Sequence, residues 1–362
     1  MSNADPFLIA AVGPPPPGID LAEDHRTGGI VLTVILLLFT ILIVVLRFTA
    51  KGGNGARLHA DDYTILVALV MCVAMACINI MAGQAGAGLH VWAVTKDMLN
   101  SVAKITFVCA FFWISAVSIT KLSILLLYRR LFAANRTRFR MWIDFLGVVV
   151  VCHMMVIIVV NLIACRPLTY VWSRYTPGAR GTCINQPAYG LIRSITNACL
   201  DIVVLATPIP SIWKLQVSVK RRLVICGMML LGGIVCIASW IRVYYIYRGT
   251  KTIDSTWVGG KIATMSFIET SLGIVSACLP VMRPLFLKLQ RNYKLYILSR
   301  KTSQGDSSAS VTAPASAPKV SHHGHEDTIN LTTIISGSDS SERQDCDRVV
   351  VRSEIRQAEA FV

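Results

Sequence analysis

Seven stretches of this 362-residue sequence are apolar over the length of a membrane crossing. They lie at about Gly29 to Phe48, Asp62 to Gly83, Val102 to Tyr128, Trp142 to Ala164, Leu191 to Trp213, Leu223 to Tyr247 and Ile262 to Met282. About 20 apolar residues cross the hydrocarbon core as a helix. No other structure fits, because lipid offers no partner for backbone N–H and C=O groups and the stretches are far too long for barrel strands. The expected fold is therefore all-α, a polytopic membrane protein with a seven-transmembrane-helix bundle. Composition agrees: 54% of residues are hydrophobic and 15% charged, unlike a soluble domain. The net charge of +15 does not call for nucleic acid, since the basic residues lie between and beside the apolar runs.

Lys and Arg in the short connections set the orientation. With the N-terminus outside, roughly eighteen fall on the inner side against ten on the outer, and every inner connection contributes. Arg129, Arg130, Lys220, Arg221 and Arg222 then belong to a basic cytoplasmic face. Residues 1–28 form an extracellular N-terminal segment; its acidic residues and the run Pro14 to Pro17 are unlike a cleaved signal sequence, so the first span is its own insertion signal. Residues 29–284 form the bundle. In 285–300, apolar residues recur at helical spacing with Lys288, Arg291 and Lys294 elsewhere, which predicts an amphipathic helix on the inner leaflet, with a continuation of the seventh span as the alternative. Residues 301–362 are polar and rich in Ser and Thr, the composition of a disordered cytoplasmic tail.

Four ionisable residues fall inside apolar runs: Lys121 in the inner third of the third, Asp201 midway along the fifth, Arg242 in the outer third of the sixth and Glu269 in the outer third of the seventh. Each costs about 2.5 to 3.5 kcal/mol on insertion scales, so each should face the interior and find a partner. Arg242 and Glu269 lie at similar depth and are expected to pair. Lys121 has Asp62 and Asp201 as candidates, or reaches the inner interface by snorkelling. These groups either shape a ligand pocket or fix helix rotation without touching a ligand. Pro208 and Pro210 in the fifth run and Pro280 in the seventh predict bends.

Most of the eleven cysteines lie in apolar runs, where a thiol behaves as a small hydrophobe. Cys165 and Cys183 instead fall in the outer connection between the fourth and fifth spans and are the disulfide candidates, with Cys109 as rival partner. His153 stands alone in its span and reads as a hydrogen-bonded histidine. The tail run His322, His323 and His325 has no preformed geometry, so no metal site is expected. Glycosylation patterns at Asn135 and Asn330 are cytoplasmic in this topology and should stay unmodified.

Several separated segments together resemble the fungal rhodopsin-like integral membrane family, seven-helix proteins related to receptor-like proteins of filamentous fungi. They are Ala60-Asp61-Asp62-Tyr63; Gly88 to Trp92; Lys121 to Arg130; Cys165-Arg166-Pro167 with Trp172 and Cys183; Asn197 and Asp201 followed by Pro208-Ile209-Pro210; Gly232-Gly233 and Arg242; and Glu269 with Ala277 to Pro284. The resemblance implies a rhodopsin-like bundle but no known reaction, and puts Asn197 beside Asp201, Arg242, Glu269 and Lys121 as polar core or ligand pocket. Members of the family are also found beside secondary-metabolite genes. Retinal is not expected, because Ile262 to Met282 has no lysine for a Schiff base and Lys261 stands only at its mouth. The usual receptor signatures are missing too: no acid precedes Arg129-Arg130, and the seventh span has no Asn-Pro pair followed by tyrosine.

The leading expectation is a receptor-like sensor of a small or amphipathic ligand, surrounded by membrane lipids and read by a cytoplasmic signalling partner, in the plasma membrane rather than an endomembrane. The alternative is a membrane-embedded cyclase or isomerase of secondary metabolism that uses Asp201 or Glu269 as a catalytic proton donor. A transporter is a weaker third reading, since no internal repeats are visible.

Overall fold

The computed structural model describes residues 13–14, 23–52, 58–132, 137–173, 176, 178–210 and 219–305. Seven helices account for most of them: α1 Arg26–Gly52, α2 Ala60–Gln84, α3 Lys96–Phe132, α4 Thr137–Ile163, α5 Gln186–Ala206, α6 Val219–Lys251 and α7 Ser255–Gly305. All seven are long and apolar enough to cross a membrane. Exposed Leu, Ile and Val residues such as Ile35, Leu38, Val70, Val148, Ile192 and Leu230 cover the outside of the bundle, the inverse of a soluble fold. The chain is thus an all-α, multi-pass membrane protein. α7 is the most enclosed span, with 61% of its apolar window buried against 17% for α1.

α5 departs from the expected boundaries. It starts earlier, where Asn185 caps the helix by accepting the Ala188 N–H and Pro187 occupies its first turn. It ends at Ala206, with Thr207 and Pro208 in a turn. Ile209 and Pro210 are helical again, so the prolines interrupt the fifth span at Thr207–Pro208, where Pro208 lacks the N–H the next turn needs. Trp213 lies outside the described residues. α7 runs unbroken through Pro280 and Pro284, and residues 285–300 continue it without interruption. Most side chains there, those of Lys220, Arg221 and Arg222, residues 135 and 306–362, and most of residues 1–22 lie outside the described residues.

One end of the bundle carries a small cap. Cys165 and Cys183 are joined by a disulfide across the two-residue strands β1 (Cys165–Arg166) and β2 (Thr182–Cys183), which pair antiparallel. Cys109 is a free thiol. Beside this cap, Asp254 accepts the Val91 N–H at 2.9 Å and meets His90 Nδ1 at 2.5 Å. Trp257 lies between the rings of His90 and His25, at 4.1 and 4.2 Å. Here α7 also touches the turn after α2: the Gly88 N–H donates to the Thr256 carbonyl, and a Cβ on Gly260 would stand 2.8 Å from Gly88 Cα. Gly88 itself has φ +103, so neither backbone gives way easily. Gly260→Ala should therefore lower stability by about 1–3 kcal/mol, whereas Gly259→Ala, with nothing within 4 Å, should be neutral or slightly stabilising. Thermal denaturation of the purified variants, side by side, checks this.

Candidate functional site

Two buried charge clusters occupy the bundle, one in its middle and one at the end opposite the disulfide. The middle cluster joins four helices. Lys121 of α3 lies 3.1 Å from Asp201 Oδ1 of α5 and donates to Asn197 Oδ1 at 2.6 Å. Asn197 donates in turn to Glu269 Oε1 of α7 at 2.7 Å and, less closely, to Asp201 at 3.4 Å. Ser239 Oγ of α6 lies 2.9 Å from both Asp201 Oδ2 and Glu269 Oε1. A hydroxyl has one proton to donate, so Ser239 donates to one of the two carboxylates at a time and the contact with the other is left unmet. Arg242 Nε stands 2.9 Å from Glu269 Oε2, at ion-pair distance but without hydrogen-bond alignment. Its guanidinium lies over the Trp113 ring at 3.9 Å.

Helical spacing explains the assembly. Asn197 and Asp201 are four residues apart and share one face of α5; Ser239 and Arg242, three apart, share one face of α6. The five residues expected to form the polar core thus come together: Asp201, Arg242, Glu269, Asn197 and Lys121 are all buried. Lys121 differs from the snorkelling expectation. It is only 4% exposed, because Asp201 offers a charge partner within the core and Asp62 is taken elsewhere. His153 is half-buried and shares a hydrogen bond of 3.0 Å with Thr196 Oγ1, an ordinary polar contact between α4 and α5.

Directly below the network lies a cavity of about 50 Å³, walled by Val117, Ile124, Val204, Val235 and Gly273, with Lys121, Asp201 and Glu269 along its polar side. That is room for a few water molecules or one small polar group beside two carboxyls. A larger cavity of about 320 Å³ opens at the disulfide end between α1, α2 and α7, lined by Gly29, Ile30, Asn79, Gly83, Lys261 and Thr264. Lys261 stands near the start of α7 with its ammonium 4.8 Å above Trp257, well away from the middle of the span.

The second cluster is one that sequence reasoning missed. Arg47 of α1, 0% exposed, binds Asp61 Oδ2 at 2.6 Å and Asp62 Oδ1 at 3.0 Å and donates to the Ala277 carbonyl of α7 at 2.7 Å. Lys51 completes the set against Asp62, and the half-exposed Arg130 approaches Asp61 at 3.8 Å. Ser123 of α3 donates to the Asp61 carbonyl at 2.9 Å. Arg47 and Lys51 are four residues apart on one face, which with the Asp61-Asp62 doublet was the available signal. His59, Asp61 and Asp62 come close enough to hold a metal ion, but two cations already occupy the carboxylates, so the donor set is spent. Arg129 sits nearby on the surface, paired with Asp144 at 2.9 Å.

The chain matches the sequence model described as the fungal rhodopsin domain over residues 46–288. It is 28% identical over 283 residues to the polyenoic acids biosynthesis gene cluster protein Ba17b of Metarhizium anisopliae, covering 71% of this chain and 74% of that one. It is 30% identical over 236 residues to a SAT4 family membrane protein of Emericella nidulans, covering 65% and 59%. It is 20% identical over 329 residues to Receptor GIN3 of Arthrobotrys oligospora, covering 87% and 77%. No solved structure matches.

Removing Arg47 takes the close partner from Asp61 in a buried site and leaves Asp62 to Lys51. Arg47→Met should cost about 3–5 kcal/mol, and Arg47→Met with Asp61→Asn, which keeps the Lys51–Asp62 pair, should recover much of that loss. Thermal unfolding in detergent of wild type, single and double variants decides it; a single variant as stable as wild type would show the cluster contributes nothing.

Proposed function

Because the chain belongs to the fungal rhodopsin domain family, we propose that it is a receptor-like sensor of a small or amphipathic ligand and works without retinal. The observation that carries this reading is the middle charge network, which ties α3, α5, α6 and α7 together directly above a cavity. A ligand changes the state of such a bundle only by binding two arrangements unequally. The single hydroxyl proton of Ser239, within reach of both Asp201 and Glu269, is one that two arrangements distribute differently. The similarity to Receptor GIN3 supports the same reading. Retinal does not fit the residues present: the middle of α7 offers Glu269 and Thr270, and Lys261 belongs to the far end, beside Trp257.

The proposed orientation places the disulfide cap outside and the Arg47 cluster at the cytoplasmic side, where Arg129 and Arg130 face a signalling partner. The basic bias of the connections supports it, as does a disulfide on the side that would meet an oxidising compartment. The plasma membrane is the proposed location. In intact cells an external protease should leave the C-terminal sixty or so residues uncut, and Asn135 should carry no glycan; cleavage or glycosylation reverses the topology.

Thermal shift in detergent against a broad lipid and metabolite panel tests the sensor. A true ligand at a hundred times its Kd adds about 2.7 kcal/mol, and Glu269→Gln should diminish the response. A panel without one stabilising compound sinks the proposal.

A second reading, a membrane-embedded cyclase or isomerase, draws on one observation: Asp201 and Glu269 both line the small cavity, and a buried acid there would deliver a proton to an apolar substrate once the bundle opens beyond the few waters the cavity holds. The similarity to a protein named for a biosynthetic cluster agrees with it. Metabolite profiles of strains carrying Asp201→Asn or Glu269→Gln that match wild type would exclude it.

A further inference from the structure

Around Trp113, cationic groups outnumber carboxylates. The buried Lys121 and Arg242 and the partly buried Arg193 are set against Asp201 and Glu269, while the buried carboxylate nearer the disulfide, Asp254, is engaged by His90 and the Val91 N–H. Lys121 is matched by Asp201 and Arg242 by Glu269, which leaves Arg193 without a carboxylate. Its charged and polar surroundings are Arg242, Tyr189 and Cys109. Its guanidinium lies 5.4 Å over the Trp113 ring and 5.7 Å over that of Tyr189. An unneutralised guanidinium inside a span is costly, and aromatic rings offset only part of that cost.

Apart from the misaligned Arg242 Nε–Glu269 Oε2 pair, the unmet hydrogen bonds in the same place are donors. Arg193 Nε, Arg242 Nη2 and Trp113 Nε1 are shut off from solvent and have no acceptor. Arg242 and Trp113 are 1% and 3% exposed. Buried polar groups are ordinarily satisfied, so three orphan donors around one indole point to a missing acceptor, and the spare positive charge gives that acceptor its sign. Planar guanidinium forks are matched by a carboxylate.

The 320 Å³ cavity comes within one helical turn of this group. Asn79, whose Nδ2 is another orphan donor, lines the 320 Å³ cavity and accepts a hydrogen bond from Cys109 Sγ at 3.5 Å. Cys109 lies one helical turn from Trp113. Tyr245 and Met265, also in the cavity wall, stand one turn from Arg242 and Glu269. The rest of the wall is mostly small or apolar and rich in glycine; of its charged groups, Arg26 is paired with Asp24 at 2.9 Å and the Lys261 ammonium lies over Trp257.

Resting on the sensor reading, we infer that Arg193, Arg242 and the Trp113 N–H bind the carboxylate of an amphipathic acid whose apolar chain lies in the cavity between α1, α2 and α7. The ligand class is thereby a monocarboxylate with a short aliphatic chain. Asn79 donates along the chain's path, and Glu269 keeps Arg242 in position.

The test uses the full chain in nanodiscs of phosphatidylcholine, with decanoate as probe and decanol and methyl decanoate as uncharged controls of the same chain length. Decanoate should bind saturably and raise the melting temperature, with the two controls at least about tenfold weaker. Arg193→Gln should abolish the preference for the acid, and Trp113→Phe, which keeps the ring but removes the N–H, should weaken decanoate several-fold. Lys104→Gln, an exposed basic residue on α3 outside the site, should change nothing. If Arg193→Gln does not fold, Arg193→Lys with Trp113→Phe carries the comparison, since lysine keeps the charge but loses the fork. Equal binding of decanoate and decanol, or an acid preference that survives both substitutions, overturns the assignment. An uncharged hit in the metabolite panel with decanoate inert also overturns it but leaves the sensor reading standing.

Discussion

A charge buried in hydrocarbon must meet its opposite, and in this bundle that requirement fixes which face each helix turns inward. Apolar contact alone cannot do so. Helices surrounded by lipid gain little by exchanging one greasy neighbour for another, and α2, α4 and α7 carry apolar residues around most of their circumference. Arg47 settles the rotation of α1, Asp61 and Asp62 that of α2, Lys121 that of α3, and Asp201 that of α5. The α7 helix meets both clusters, through Glu269 in the middle and the Ala277 carbonyl near the opposite end. It is also the most enclosed span, as a helix that answers to two clusters must be.

The two clusters differ in kind. At the end opposite the disulfide, Arg47 and Lys51 balance Asp61 and Asp62, every carboxylate is engaged, and the group behaves as a closed clasp. The middle cluster is left open. One serine hydroxyl serves two carboxyl oxygens, the Arg242–Glu269 pair is misaligned for a hydrogen bond, and a guanidinium nearby has no anion. Clasps of the first sort fix a structure, since breaking one strands a charge. A network of the second sort changes partners at lower cost, because its members are already imperfectly satisfied.

The seven spans were legible in the sequence because twenty consecutive apolar residues admit one backbone solution. Arg242 with Glu269 was legible from matching depth on neighbouring helices. Depth is a one-dimensional coordinate, however, and it failed where rotation mattered: Lys121 lies near enough to an interface to escape the core, yet its face of α3 points toward Asp201. The Arg47 cluster was hidden for a related reason. A basic residue near a span end also satisfies the positive-inside bias, and that explanation leaves no need to look for an acid. Arg193 and Trp113 escaped notice because an arginine over an aromatic ring needs no charged partner at a recognisable spacing. The far end of α5 was set too late because hydropathy continues through Ile209, Ile212 and Trp213, while the missing N–H of Pro208 breaks the helix after Ala206.

The distribution of polar contacts also decides which helices can move as a unit. Within the span, α4 joins its neighbours through neutral contacts, His153 with Thr196 and the Tyr189 hydroxyl donating to the Ile157 carbonyl, and its one ion pair to a neighbour among the described residues, Asp144 with Arg129 of α3, lies at the surface. It carries no member of either charge cluster. α3, α5, α6 and α7 share one network, so a shift of any of the four alters the hydrogen bonds of the other three. α1 and α2 are tied to α7 by Arg47 and by the approach of Gly88 to Gly260. α7 is thus pinned at both ends and free to repack only around its middle, at Glu269, where the unmet hydrogen bonds are concentrated. Any ligand-driven change in this bundle therefore has to be expressed there, as a redistribution of partners among Glu269, Asp201, Ser239 and Arg242 rather than as a swing of the whole helix.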